Sequence, residues 1–333
     1  MKRKEVLFRT MVELPLWDTP LKVTDSTVFL GSCFAERIGD RFSSYGLNTL
    51  CNPLGVVYNP ASALLQIESC FGIDVQSIPV FETCGEWRCW WAGTSVSAST
   101  ADGCRETVHD LLSTLRSALA KARYLFVTLG TNVCYKLKDN GEVVTNCHRM
   151  PAGIFSEYRM SVEECTQCLN GIVDTVRTYN PGCNVVFTVS PYRYSKYTYH
   201  GSQISKATLL LAVDRVVNAR PAQVGYFPAY EIVMDELRDY RFYDTDMLHP
   251  SAEAVDYIWQ CLAECAMDER MRRYLVEYEP VRKGLSHRPS DAMSEEYAAF
   301  RRKLDETSER IRMEYFPDTC IGQCAEKTKG QNI

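Results

Sequence analysis

The sequence predicts an α/β fold built on a parallel sheet. Predicted strands alternate with amphipathic helical segments along most of the chain, which is the pattern of a sheet with helices on both faces. Residues 124–129 form a continuous apolar run, as expected for a buried central strand. Polar motifs follow directly after predicted strands. Because ligands bind beyond the carboxyl ends of parallel strands, the sequence also predicts a site at that edge of the sheet.

Glycine and proline residues predict where the first helices, strands and loops begin and end. Residues 1–25 are predicted to be an irregular lead-in, since Pro15 and Pro20 break any helix. A strand over 26–30 precedes a helix that we expect to end near Gly46, where glycine can adopt the left-handed conformation. Residues 52–60 contain two Asn-Pro pairs and one glycine and therefore predict a loop.

The later elements follow from hydrophobic periodicity and turn signals. A small hairpin is predicted around the Asp-Asn-Gly turn at 139–141. Residues 194–203 are predicted to be an aromatic and polar loop. The remaining predictions are helices over 61–71, 103–122, 161–179, 205–220, 229–237 and 251–265, and strands over 79–91, 124–129, 184–189 and 224–228.

Net charge and the distribution of apolar residues argue against several kinds of binding partner and several cellular locations. The formal net charge of −5 argues against nucleic acid or an anionic membrane as the main partner. No apolar run approaches the length of a membrane span. Glu5, Arg9 and Glu13 interrupt what would be the apolar core of a signal peptide. We therefore expect a cytoplasmic protein.

Fifteen cysteines are scattered through the chain, and their number is odd. Without an export signal, they are expected to be reduced, small apolar residues rather than a disulfide framework. Cys165 and Cys168 have CxxC spacing but lack a second ligand pair at zinc-finger spacing. We expect no metal site.

The composition changes near residue 287. Residues 290–315 are strongly charged and carry one narrow apolar stripe, which predicts a long helix. This helix could dock on the main domain, the outcome we favour, or pair with another subunit to form an oligomer. The expected organisation is a main domain over 1–285, a helical extension over 286–321 and a disordered tail over 322–333.

Ser32 lies on the turn between the first predicted strand and the first predicted helix. Amides at a helix N-terminus bind anions and can stabilise an oxyanion, so this position suits a nucleophile. A serine there could equally be a plain helix N-cap. The residues alone leave both interpretations open.

His249 is the natural candidate for a general base, because imidazole takes up protons near neutral pH. Asp246 lies three residues earlier, so its carboxylate can reach the imidazole and fix its tautomer. Asp-x-x-His is also common at helix starts, and Pro250-Ser251 has the character of one.

Residues 31–35, Gly-Ser-Cys-Phe-Ala, spell the signature of the GSCFA family, which resembles the SGNH (GDSL-like) hydrolases. Residues 52–60 and 246–250 extend the resemblance, which covers about residues 8–270. It implies a flavodoxin-like, three-layer α/β/α fold with an added C-terminal helix. It departs from GDSL enzymes at Cys33 and Phe34, which follow the serine.

The resemblance also assigns roles. It implies a triad of Ser32, His249 and Asp246, with Asp246 preferred to Asp244. The implied oxyanion hole consists of the amides of Ser32 and Gly55 and the side chain of Asn132, although both latter residues could be ordinary turn or cap residues. No metal or organic cofactor is implied.

Three further polar residues near the strand ends are candidate substrate contacts: Asn59, His148 and Arg193. Alternatively, His148 is a loop histidine and Arg193 a solvated arginine. Together these features predict a serine esterase acting on small acyl esters, such as O-acetyl groups on carbohydrate. The alternatives are acyl transfer to a sugar or other alcohol, and a carbohydrate-binding module without turnover.

Overall fold

A five-stranded parallel sheet forms the centre of the computed structural model, which describes residues 9–287 and 294–317. Its strand order is β2-β1-β6-β10-β11, the 2-1-3-4-5 order of flavodoxin-like folds. The predicted fold class is thus confirmed. In chain order, the strands are β1 (Thr27–Gly31), β2 (Thr49–Cys51), β3 (Val80–Thr83), β4 (Glu86–Cys89), β5 (Ser97–Ala98), β6 (Tyr124–Leu129), β7 (Val133–Leu137), β8 (Val143–Val144), β9 (Phe155–Arg159), β10 (Asn184–Val189) and β11 (Val224–Tyr226).

The described residues contain nine α-helices. The helices are α1 (Cys33–Ser44), α2 (Pro60–Cys70), α3 (Ala101–Leu119), α4 (Val162–Tyr179), α5 (Thr198–Ala219), α6 (Ala229–Glu231), α7 (Ala252–Ala266), α8 (Glu269–Ser286) and α9 (Glu295–Tyr315). Alternate strand residues such as Leu30 and Val127 share one hydrophobic core with α2 to α5. Phe29 and Phe126 point the other way and stack with ring centroids 4.6 Å apart, next to Gly39 of α1.

Two small antiparallel sheets accompany the central one. One has the order β3-β4-β5, and the other has the order β8-β7-β9. The pairing of Tyr135 with Val144 is the hairpin that the Asp-Asn-Gly turn predicts. Strands β2, β5 and β9 were not predicted from the sequence; β2 and β5 are three and two residues long, too short for a periodic signal.

Most predicted elements agree with the structure, and β6 and β10 agree in both bounds. The prediction of a loop over 194–203 was wrong in its second half, because α5 already begins at Thr198. The Thr198 hydroxyl accepts a hydrogen bond from the Gly201 amide and so supports this early first turn. The predicted helix over 229–237 is α-helical only in α6 and continues as a π-helix over Ile232–Leu237.

The chain forms two compact units. The first contains the described residues up to Pro15, Ser26–Asp40 and Thr49–Cys261, and therefore the whole central sheet. The second contains Leu16–Asp25, Arg41–Asn48 and the described residues from Leu262 onward. Within the second unit, Leu21 pairs with Met267, and its amide donates to the Ala266 carbonyl at 2.7 Å. The expected domain boundary at residue 285 stays a prediction.

Within the second unit, α9 packs on α8. Leu304 lies so close to Gly284 that a side chain there would collide with it. The Tyr315 hydroxyl donates a hydrogen bond to Glu277 at 3.0 Å, and Ile311 is buried. Helix α9 thus packs against its own chain, whereas the whole predicted tail over 322–333, like residues 288–293, lies outside the described residues. None of the described helices has the length and apolar character that crossing a bilayer requires.

Candidate active site

Ser32 directly follows β1 and precedes α1, as the sequence predicts. Gly31 has a φ of 140°, and a side chain at this position would collide with the backbone of Thr128 in β6. Only glycine tolerates both the conformation and the close approach. The glycine of the signature therefore lets the chain turn next to β6 and places Ser32 at the carboxyl edge of the sheet.

Asn52, which directly follows β2, holds this turn in place with two hydrogen bonds. Its side-chain oxygen accepts a hydrogen bond from the Gly31 amide at 2.9 Å, and its Nδ2 donates to the Gly31 carbonyl at 3.1 Å. Asn52 itself has a φ of 40°, in the left-handed region that asparagine tolerates better than most residues. The Asn52 side chain thus holds both the backbone amide and the backbone carbonyl of Gly31, the residue before Ser32.

The end of β6 approaches the serine closely. A side chain on Gly130 would lie 3.6 Å from the Ser32 Cβ, and the amides of Gly130 and Thr131 both donate to the Tyr58 carbonyl. Asn132 follows and is buried. The ends of β1 and β6, neighbours at the centre of the sheet, thus bring Ser32 and the loop that carries Asn132 together.

Ser32 is only 1% exposed. Its Oγ accepts a hydrogen bond from the Phe34 amide at 3.4 Å, and its carbonyl accepts one from Ala35 at 2.8 Å. The serine therefore caps α1, so the N-cap interpretation also holds. A cap position does not exclude a nucleophile, because it leaves the hydroxyl hydrogen free to be donated.

His249 and Asp246 form a close pair on the loop between Tyr243 and Pro250. The His249 Nδ1 lies 2.5 Å from Asp246 Oδ2. The other carboxylate oxygen, Oδ1, accepts hydrogen bonds from the amides of Leu248 at 2.8 Å and His249 at 2.9 Å. These hydrogen bonds from the His249 amide, the His249 ring and the Leu248 amide lower the pKa of Asp246 to about 2. The carboxylate is therefore ionised at neutral pH, as an acid that orients an imidazole must be.

Asp244 has different partners. Its Oδ1 accepts a hydrogen bond from the Thr245 amide at 2.8 Å, and its Oδ2 lies 3.8 Å from Arg37. Its own amide donates to the His249 carbonyl at 2.7 Å and helps to close the loop. The contact with the His249 ring thus belongs to Asp246.

The ring of Tyr192 packs against that of His249. Its ring centroid lies 4.5 Å from that of His249. Burial, followed by the nearby Cys33 and Asp246, raises the pKa of the Tyr192 hydroxyl. Ser32 and His249, both within the described ranges, are not hydrogen-bonded to each other.

The three candidate oxyanion donors have other acceptors in this structure. The Ser32 amide donates to the Thr128 carbonyl at 3.1 Å, and the Gly55 amide donates to the Asn52 carbonyl at 2.8 Å. Asn132 Nδ2 donates one hydrogen to the Met160 carbonyl at 2.7 Å, which leaves its second hydrogen.

Lys206 and Ser205 of α5 support the strand ends behind the site. The Lys206 Nζ is fully buried and donates to the carbonyls of Gly130 and Ser190, each at 2.7 Å. The Ser205 hydroxyl accepts a hydrogen bond from the Asn132 amide at 2.8 Å. Burial lowers the pKa of Lys206 to about 7. One helix thus fixes the ends of both β6 and β10.

The three candidate substrate contacts have distinct surroundings. The Asn59 side chain caps α2 by accepting a hydrogen bond from the Ser62 amide at 2.9 Å. His148 is 6% exposed, packs against Phe81 and Trp90, and has its Nε2 2.9 Å from the Cys89 carbonyl oxygen. Those surroundings are typical of a packed structural histidine. Arg193 is half-buried beside the His249 loop.

Cys33 is the other conceivable nucleophile at this turn. Burial and the nearby Glu36 carboxylate raise the pKa of its thiol. Because the thiolate is the reactive form, this environment disfavours Cys33. All thirteen cysteines in the described ranges are free thiols, and those ranges hold no cluster of three His, Cys, Asp or Glu residues suited to a metal ion.

The comparisons with known proteins agree with the signature. A family model described as the GSCFA family matches residues 26–262. No curated protein matches the chain significantly. Similar solved structures include a carbohydrate esterase family 3 protein from Talaromyces cellulolyticus, at 8% identity over 72% of this chain and 95% of that chain, with a TM-score of 0.33. Another is an acetyl xylan esterase from the rumen bacterium Butyrivibrio proteoclasticus, at 10% identity over 74% of this chain and 66% of that chain, with a TM-score of 0.37.

At such TM-scores the structural likeness carries no argument, whereas the family model spans the entire central sheet and every candidate triad residue. The chain therefore belongs to the GSCFA family.

Proposed function

We propose that this protein is a serine hydrolase that cleaves acyl esters. The observation that carries the proposal is the Asp246–His249 pair, a carboxylate 2.5 Å from the imidazole nitrogen. Asp244 of the same loop lies 3.8 Å from Arg37 of α1, the helix that begins directly after Ser32. The Leu248 and His249 amides hold the other oxygen of the Asp246 carboxylate, so that carboxylate is fixed in position to orient the ring.

In the proposed reaction, the Ser32 Oγ attacks the ester carbonyl carbon and His249 Nε2 takes the serine proton. His249 then gives that proton to the leaving alcohol, which departs and leaves an acyl-serine. A water, deprotonated by His249, releases the acid and restores the serine. Asp246 holds the proton on Nδ1 throughout and stabilises the imidazolium. This sequence requires the His249 ring to come within hydrogen-bonding distance of Ser32 when substrate binds, since catalytic hydrogen bonds often tighten only in the complex.

The tetrahedral oxyanion needs donors. The second hydrogen of Asn132 Nδ2 is the donor that the contacts support best, because it does not require another hydrogen bond to break. The amides of Ser32 and Gly55 would each exchange a carbonyl acceptor, on Thr128 and Asn52 respectively, for the oxyanion.

The experiment that tests this proposal is hydrolysis of p-nitrophenyl acetate and longer esters by wild type, Ser32→Ala and the neighbouring control Cys33→Ala. We expect kcat/KM to fall by a factor on the order of a thousand or more in Ser32→Ala, as for a triad member. Cys33→Ala should retain activity. Equal rates for wild type and Ser32→Ala, with both folded by circular dichroism, would refute the proposal.

A further inference from the structure

A small pocket lies beside the His249 loop. It has a volume of about 220 Å³ and is lined by Arg193, Gln203, Arg238, Asp239, Tyr240 and Tyr243, among others. Pockets that hold drug-sized ligands typically exceed about 300 Å³. The space in this Arg193 pocket therefore suits one ring and its substituents rather than an extended chain.

Arg193 is held among aromatic rings. Its guanidinium carbon lies 4.4 Å from the ring centroid of Tyr199, 5.3 Å from that of Tyr243 and 5.7 Å from that of Tyr240. One nitrogen, NH1, donates to the Met247 carbonyl at 3.2 Å. Stacking uses the faces of the guanidinium, so the remaining N–H donors along its edge stay available to a ligand.

Arg193 has no ion-pair partner in the part of the chain that the structure describes. Asp239 lines the same pocket, but its carboxylate accepts a hydrogen bond from the Arg241 amide at 3.0 Å and lies 3.8 Å from the Arg241 side chain. Arg238 lies 3.8 Å from Asp235. The uncompensated charge of the pocket is therefore positive and belongs to Arg193.

The rim of the pocket offers aromatic surface and amide donors. Tyr240, which lines the pocket, is 67% exposed, and Tyr199, whose ring lies by the Arg193 guanidinium, is 53% exposed. The Gln203 side-chain oxygen accepts a hydrogen bond from Tyr230 at 2.7 Å, which leaves its NH₂ group to donate elsewhere. Aromatic faces beside polar donors suit a sugar ring, which has apolar C–H faces and a hydroxyl edge.

The pocket is attached to the proposed catalytic loop. The Arg193 amide donates to the Leu248 carbonyl at 3.0 Å, one residue from His249, and its side chain holds Met247. Tyr243 pairs with Pro250 at the other end of that loop. These contacts with the His249 loop are the reason to assign a group bound by Arg193 to the same substrate as the ester.

We propose that the Arg193 pocket binds the carboxylate of an acidic sugar, a uronic-acid-type residue in the alcohol portion of the ester. This inference rests on the proposed hydrolase function for its biological meaning. The carboxylate accepts hydrogen bonds from the edge of the guanidinium, and the sugar ring lies on the exposed tyrosines.

The test measures binding without turnover. Galacturonic acid, galactose and acetate are titrated separately into Ser32→Ala protein, and binding is followed by NMR chemical-shift changes. We expect galacturonic acid to bind more tightly than either galactose or acetate, because only it engages both the arginine and the tyrosines. Adding Arg193→Gln should weaken galacturonic acid binding about ten- to a hundredfold, the range for a hydrogen bond to a charged group.

Two further variants make the test independent of folding. Tyr240→Ala removes an exposed ring and should weaken both sugars, with an unchanged melting temperature. Arg215→Gln, at an exposed arginine paired with Glu163, is the matched control and should bind like the parent. Equal affinity for galacturonic acid and galactose, equal affinity for galacturonic acid and acetate, or no effect of Arg193→Gln would overturn the inference. Binding as expected by a protein whose wild type cleaves no ester would uphold the pocket and refute the hydrolase.

Discussion

Gly31 shows how a single residue sets the position of the proposed nucleophile. Its φ of 140° and its contact with Thr128 exclude any side chain, and Asn52 holds both of its backbone polar groups. Ser32 therefore leaves β1 in a fixed direction. Glycine adopts this conformation without steric strain, whereas any other residue at position 31 would strain the turn.

At the residue scale, replacing Asp246 tests the proposed triad. In Asp246→Asn, the side-chain oxygen can still accept the two amide hydrogen bonds, but the NH₂ group would face His249 Nδ1. The histidine proton would then move to Nε2, the nitrogen that must accept the serine proton. We expect kcat for ester hydrolysis to fall by about 10³- to 10⁴-fold with little change in melting temperature.

Asp244→Asn is the matched control, since Asp244 lies on the same loop but contacts Thr245 and Arg37 rather than the His249 ring. Its kcat should stay within about threefold of wild type. If kcat fell by a similar factor in both variants, the cause would be a disturbed loop structure and not the tautomer of His249.

The sequence predicts those parts of the site that are local. Asp246 and His249 are three residues apart, and Ser32 lies within a five-residue signature, so both were recognisable. Asn52 braces a residue 21 positions away, and Lys206 reaches a carbonyl 76 positions away. Such contacts depend on strand order, which no local pattern encodes. The sequence shows Asn52 in the 52–60 loop and Lys206 in a helical segment, but it does not show which residues their side chains contact.

At the element scale, α5 joins the ends of two strands. Ser205 accepts the Asn132 amide, and Lys206 donates to carbonyls that follow β6 and β10. The neutral amine has two N–H groups, which matches its two acceptors. Apolar runs made β6 and β10 predictable in both bounds, whereas the early start of α5 depends on a hydrogen bond from Gly201 to Thr198 that periodicity does not show.

Lys206→Met should reveal the pH dependence of this contact. The ordinary lysine pKa is 10.5 and burial lowers it to about 7 in the folded protein. Between these values, the unfolded lysine holds a proton that the folded one has lost, so raising the pH favours folding. The free energy of unfolding of wild type minus that of the variant should therefore rise with pH from about 7 to 10, by at most about 1.4 kcal/mol for each unit.

Urea denaturation at pH 6, 8 and 9.5 measures this difference. Lys121→Met, at an exposed lysine, provides the reference and should show no such rise below pH 9. A difference for Lys206→Met that does not vary with pH would show that the lysine keeps its proton when buried.

At the scale of the whole molecule, the apolar stripe of α9 is used within the chain. Ile311 and Tyr315 are buried, and Leu304 packs against Gly284 of α8. Within the described part of this stripe only Phe300 is exposed, at 40%, so little apolar area is left for a partner subunit. We therefore expect a monomer of 37.9 kDa by size-exclusion chromatography with light scattering. A mass of about twice that value, stable to dilution, would show that another surface mediates association.

The proposed reaction requires Ser32 to be an activated nucleophile. Incubation with a fluorophosphonate, which reacts with activated serines, followed by peptide mass spectrometry, tests this without knowledge of the natural substrate. We predict one adduct per chain, located on Ser32, retained in Cys33→Ala, and lost in both Ser32→Ala and His249→Ala. An unlabelled Ser32 in the folded wild-type protein, or labelling that persists in His249→Ala at the wild-type rate, would contradict it.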